Sequence, residues 1–148
     1  PENLDGFRRI RDAANVTLAA GERMATVYGL RDLIEKDLVD IVQPDLGNCG
    51  GFTETRKICD MASTFDIGVQ LHLIGSPVST AAALQMEAVL PNFVIHEHNN
   101  TSLLPENIAL CTYDYQPVGG YFQIPELPGI GQDLTAEAYK NASIVSVD

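Results

Sequence analysis

Glu22, Asp45, His72 and Glu97 are residue types that bind hard metal ions or move protons, and they follow one another at intervals of 23, 27 and 25 residues. A carboxylate offers oxygen to a divalent cation. An imidazole exchanges a proton near neutral pH, and a neighbouring carboxylate can fix which ring nitrogen carries it. A recurrence of about 25 residues is also the length of one strand-plus-helix unit. If each of the four ends a strand of one parallel sheet, they share the face on which such folds place their chemistry.

The surrounding sequence supplies the elements for that arrangement. Residues 1–14 read as a helix, with Pro1 suited to a first turn and Leu4, Phe7, Ile10 and Ala14 on one apolar face. Residues 16–20 have strand length and end at Gly21-Glu22-Arg23. Helical spacing returns at Val27, Leu30, Leu33, Ile34 and Leu38. Residues 40–45 form the next expected strand, closed by the Gly-rich stretch 47–51, which reads as a turn. A third helix is expected through Ile58, Met61, Ala62 and Phe65, and a third strand over 68–73. Ser76-Pro77 then supplies a cap and a first-turn proline for a helix through Leu90. Residues 92–98 read as the fourth strand. This alternation predicts an α/β fold with right-handed crossovers and a parallel sheet.

The pattern changes after Asn99. Proline becomes frequent, Gly119-Gly120 and Pro128-Gly129-Ile130-Gly131 mark turns, and only residues 135–141 look helical. Residues 101–148 are therefore expected to be a tail of loops and short strands with no independent fold.

Each chemical residue also has a plainer reading. Glu22 after Gly21 could be a solvated charge in a surface turn. Asp45 after Pro44 could cap the next helix. His72 lies in the apolar frame Val69-Gln70-Leu71-His72-Leu73, where a hydrogen-bonded core histidine is the usual outcome. Glu97 stands between two histidines, and burying its carboxylate costs free energy unless a cation or a donor meets it. The joint occurrence at four matching strand ends favours the functional reading. His96-Glu97-His98 resembles a small metal cluster, but strand side chains alternate, which makes a three-ligand site there geometrically poor. His98 sits where strand gives way to loop and is a candidate substrate contact. The Gly-rich loop matches no phosphate-binding fingerprint.

Composition narrows the partners. A net charge of −11 offers no basic stripe to nucleic acid or to an anionic membrane surface, and no apolar run approaches bilayer-spanning length. An anionic small molecule stays compatible with this charge, because a bound metal reverses the local field. Cys49, Cys59 and Cys111 lack metal-type spacing, so reduced structural thiols in a cytoplasmic protein are expected. A chain that opens on Pro1, outside any initiator or signal context, is expected to be a piece of something longer.

The strings Ala-Ala-Gly-Glu-Arg (19–23), Asp-Ile-Val-Gln-Pro-Asp (40–45) and Gly-Gly-Phe-Thr-Glu-Thr-Arg-Lys-Ile (50–58) resemble the enolase superfamily, in its mandelate racemase branch. So do His72 with Gly75-Ser76-Pro77, the run from Pro91 to Glu97, and Pro128-Gly129-Ile130-Gly131. Within that branch the chain looks like an acid-sugar dehydratase of the galactonate or gluconate type. The resemblance implies the C-terminal half of a (β/α)8 TIM-type barrel, strands five to eight, over residues 1–100. Residues 101–148 would be a C-terminal tail packing toward a capping domain outside the chain. It further implies that Glu22 is a carboxylate ligand of Mg2+ and that Asp45 orients His72. His72 would be the general acid/base that abstracts the proton alpha to the carboxylate, and Glu97 would hydrogen-bond the substrate carboxylate as it becomes an enediolate.

Other family features fall outside the sequence. The family has two further metal carboxylates and a second acid/base on earlier strands, so one carboxylate alone cannot satisfy Mg2+. The chain by itself is expected to be inactive. Its expected partners are the N-terminal half of the same enzyme, a small-molecule acid sugar and further copies in a homo-oligomer. A racemase, epimerase or cycloisomerase would use the same site. A non-catalytic βα binding domain is the alternative of another class. A response-regulator-like domain would want an acidic cluster after its first strand and a lysine near its last, and neither is present.

Overall fold

The computed structural model describes residues 3–143 and 145–146. Pro1, which the sequence reading placed in a first turn, lies outside them. The chain runs α1 (Leu4–Ala13), β1 (Ala19–Ala20), α2 (Thr26–Glu35), β2 (Ile41–Val42), α3 (Leu46–Cys49), α4 (Gly51–Thr64), β3 (Gly68–Val69) and α5 (Pro77–Glu87). A 3-10 turn (Asn100–Leu103), α6 (Pro105–Ile108) and α7 (Ala136–Asn141) follow. By its contacts the chain divides into two compact units, Pro1–Leu73 with Met86–Glu97, and Ile74–Gln85 with His98–Asp148.

In the first unit the strands pair in parallel, in the order β1-β2-β3. They are shorter than the sequence suggests, but the hydrogen bonding continues beyond them. Gln43 N–H donates to Ala20 O, Gln70 N–H to Val42 O and His72 N–H to Pro44 O. Pro44 has no N–H to give, and at Asp45 the backbone already turns into a helix, which ends regular pairing there. The expected fourth strand over 92–98 is reduced to one parallel bridge between Val69 and Phe93. It is anchored by Val69 N–H to Asn92 O, Val94 N–H to Val69 O, and Asn92 Nδ2 to Ile67 O at 2.9 Å.

Period-2 alternation divides the sheet. Val42, Pro44, Val69 and Leu71 are fully buried, while Gln43, Asp45, Gln70 and His72 on the other side are half-buried. The core adds Leu30, Leu33 and Ile34 of α2 and Ile58, Cys59 and Ala62 of α4, and these two helices pack together. Phe65, expected on the α4 core face, is 47% exposed at its C-cap. None of the residues of α1 is fully buried: on its apolar stripe Leu4 and Phe7 are half-buried and Ile10 is exposed. Arg11 ties the helix down, donating to Asp37 and Asp40 at 2.8 Å each. The Leu18 N–H and then Arg11 hold the Asp40 carboxyl below the usual range.

Two expected loops are helical. The Gly-rich turn begins as the single turn α3, ended by Gly50 in the left-handed region at φ 117°. Residues 100–103 and 105–108 are short helical turns within the tail. Ser76 accepts from Val78 N–H and Pro77 opens α5, as the sequence predicts, but the helix stops at Glu87, short of Leu90. A Val118–Tyr121 bridge closes the Gly119-Gly120 turn. Among the described residues no helix is long and apolar enough to cross a membrane.

Candidate active site

Sheet register brings Asp45 and His72 together. Ile41 lies opposite Gly68 and Val42 opposite Val69, an offset of 27 residues. Carried on to the strand ends, the same offset sets Asp45 opposite His72. Both side chains fall on the half-buried side of the sheet, and His72 Nδ1 is 2.8 Å from Asp45 Oδ2. The side chains are 17% and 23% exposed for Asp45 and His72, sheltered enough to hold the pair but open to a ligand. An ionised carboxylate only accepts, so Nδ1 carries the hydrogen and Nε2 is the nitrogen left for proton exchange.

The same carboxylate also caps α3. Asp45 Oδ1 accepts from Gly47 N–H at 2.7 Å and Asn48 N–H at 3.1 Å. Asp45 thus caps α3 with one oxygen and hydrogen-bonds His72 with the other. The cap fixes the carboxylate plane and aims Oδ2 at His72.

Glu22 sits in the turn after β1. Gly21 before it has φ 141°, and a Cβ there would lie 3.2 Å from both Gln43 N and Leu30 Cδ2, so only glycine suits the position. The Glu22 carboxylate accepts from Gly21 N–H at 3.2 Å, and its backbone carbonyl accepts from Asn48 Nδ2 at 2.9 Å. The far end of this loop is held by Glu54 of α4, which accepts from Val27 N–H at 3.1 Å beside Thr26 at φ 59°. That conformation is costly for a β-branched residue.

Glu97 meets the donor that its burial requires. Its Oε2 accepts from Leu73 N–H at 3.1 Å, one residue beyond His72. The Val69–Phe93 bridge sets an offset of 24 residues, which puts Glu97 opposite Leu73. The neighbouring histidines go elsewhere. His96 Nδ1 lies 2.6 Å from Glu87 Oε2 in a pair 8% and 4% exposed. His98 belongs to the second unit, where its ring meets Phe122 edge-on at 5.4 Å. Sequence reasoning missed Asn48, Glu54 and Glu87. An Asn three residues after a capping Asp, and a Glu opening a helix after Gly-Gly, are the only local signals for the first two.

Glu22 is the kind of hard oxygen donor that Mg2+ takes. Among the described residues, however, no group of three or more His, Cys, Asp or Glu side chains could hold an ion. The donor fits in kind and falls short in number.

Comparison with known proteins gives the family. A family profile described as "Enolase C-terminal domain-like" matches residues 1–138. D-xylonate dehydratase of Haloferax volcanii is 36% identical over 143 residues, covering 93% of this chain and 33% of that protein. D-galactarolactone cycloisomerase of Agrobacterium fabrum is 35% identical, covering 93% and 38%. A solved structure of a member of the enolase superfamily from Salmonella Typhimurium is 46% identical, with a TM-score of 0.96 over 100% of this chain and 38% of that one. The chain therefore spans about a third of the length of the curated relatives it matches. Its parallel strands and helices are part of a (β/α)8 barrel.

Proposed function

Because this chain belongs to the enolase C-terminal domain-like family, we propose that it forms strands five to eight of a Mg2+-dependent acid-sugar dehydratase of the galactonate or gluconate type. The observation that carries this reading is the Asp45–His72 hydrogen bond at a parallel strand end. It gives a histidine with one nitrogen fixed and the other turned to proton transfer. Similarity to an acid-sugar dehydratase supports the substrate class.

In this mechanism His72 Nε2 exchanges a proton with the sugar acid, taking it from C2 as base or giving it to the departing C3 hydroxyl as acid. Asp45 keeps Nδ1 protonated throughout and holds the ring plane. Glu97 has one oxygen engaged by Leu73 N–H. In its acid form it would donate from the other to the substrate carboxylate. Glu22 would bind Mg2+, which supplies Lewis-acid stabilisation of the charge that grows on that carboxylate. Loss of the C2 proton and the C3 hydroxyl releases one water and an enol, which becomes a 2-keto-3-deoxy acid. His98 is the further proposed substrate contact.

The remaining strands, the other metal carboxylates and the second acid/base would come from the N-terminal half of the enzyme, so the chain alone would be inactive. The enzyme would work in the cytoplasm as a homo-oligomer. In the complete enzyme, chelator should abolish turnover of a sugar acid and Mg2+ should restore it. Turnover that survives chelation would end this reading. If His72 is the base, His72→Asn should also stop solvent deuterium from entering C2.

The 35% identity to a cycloisomerase favours one alternative, in which the same site rearranges a lactone without releasing water. Mass balance between substrate and product separates the two, because the dehydratase product is one water lighter than its open-chain acid substrate whereas the cycloisomerase product is an isomer of its lactone.

A further inference from the structure

We infer that Asn48 is a positioning residue, clasping the turn that carries Glu22 to the turn that carries Asp45 so that metal ligand and acid/base pair keep one fixed relation. The inference rests on the function proposed above and extends it to a residue outside the reacting groups. Asn48 makes two bonds in opposite directions. Its backbone N–H donates to Asp45 Oδ1 at 3.1 Å, and its side-chain Nδ2 donates to the Glu22 carbonyl at 2.9 Å. Asp45 in turn reaches His72 through its other oxygen at 2.8 Å. A continuous chain of hydrogen bonds thus runs from the Glu22 peptide to the His72 ring.

The Glu22 turn needs such a restraint. Its own closure is the Met24 N–H to Gly21 O bond, next to a glycine at φ 141° that only glycine readily adopts. Fixing the Glu22 carbonyl fixes the root of a side chain with three rotatable bonds, which narrows where its carboxylate can point. Only a donor can do this, so the amide of Asn48 is chemically required where an aspartate would set acceptor against acceptor. Asn48 is exposed, so losing this one bond should cost the fold little. A role in ligand placement and a role in stability are therefore separable.

The test is titration of the complete enzyme with Mn2+ alone, without substrate, followed by electron paramagnetic resonance. Asn48→Ala keeps the α3 backbone and its bond to Asp45, and removes only the side-chain clasp. It should weaken Mn2+ binding about 10–100-fold, the range found when groups that orient metal ligands are removed, with little change in melting temperature. Should Asn48→Ala not fold, Asn48→Ser, too short to span to Glu22, carries the same expectation. Unchanged Mn2+ affinity in a folded variant would overturn the role of Asn48 and leave the dehydratase reading standing. Absence of Mn2+ binding by the unsubstituted enzyme would overturn both.

Discussion

Asp45 divides its carboxylate between His72, 2.8 Å from Oδ2, and the N-terminus of α3, where Oδ1 accepts from Gly47 and Asn48 N–H. The two tasks can be dissected by substitution. Asp45→Asn can still cap with its amide oxygen but turns an N–H donor toward His72 Nδ1, reversing the tautomer. In the complete enzyme kcat should fall about 10²–10⁴-fold with nearly unchanged melting temperature. Asp45→Ala should lose that activity and about 1 kcal/mol of stability besides. Equal stability losses in the two variants, measured by thermal melting, would contradict the divided role.

Gly21 governs how the turn carrying Glu22 leaves the sheet. Gly21→Ala puts a Cβ 3.2 Å from Gln43 N and Leu30 Cδ2 at a φ of 141°. The cost should be about 1–3 kcal/mol, read from denaturant midpoints, and Mn2+ affinity should drop with it. An alanine variant as stable as the parent would mean that the turn has room the geometry denies.

Burial pushes the Glu87 carboxyl up, with its hydrogen bond to His96 only partly opposing this. A folded value above the unfolded one means that the native state holds its proton more tightly. The stabilisation from Glu87 is therefore complete below the ordinary carboxylate value and lost as pH rises through the raised one. Glu87→Gln, which cannot ionise, should gain on the parent in melting temperature as pH climbs through that window. Parallel profiles of the two proteins across acidic to neutral pH would rule this out.

Burial also pushes the Cys59 thiol up to about 12 and raises Cys49 and Cys111. The thiolate is the reactive form, and all three sulfurs are buried and unpaired with one another. Ellman's reagent at about pH 8 should label none of the three in the native enzyme and all of them after denaturation. Rapid native labelling of Cys59 would place it outside the α4 core.

Much of this site is legible in the sequence because parallel register is a fixed offset. The spacing of Asp45 and His72 equals the 27-residue offset of β2 and β3, so the linear interval alone pairs them across the sheet. The helix-and-strand alternation, the Ser76-Pro77 start and the buried periodicity of α2 follow equally from local rules. The extent of pairing was not legible. The run over 92–98 has strand composition but keeps one bridge, because pairing depends on partners the local pattern does not specify. Phe65 fits a helical period and yet falls at a C-cap, since where a helix ends changes the direction of its last side chains.

The sequence by itself determined which residue types stand at the strand ends and, through periodicity, that a parallel sheet carries them. Only the tertiary structure decided how they connect. Asp45 serves both a histidine and a helix terminus, Asn48 links that terminus to the Glu22 turn, and His96 turns to Glu87 rather than joining Glu97. The physical reason is that periodicity is a property of one backbone segment, repeated every few residues. A hydrogen bond between loops 26 residues apart depends on distances and directions that exist only once the sheet has set both loops in space.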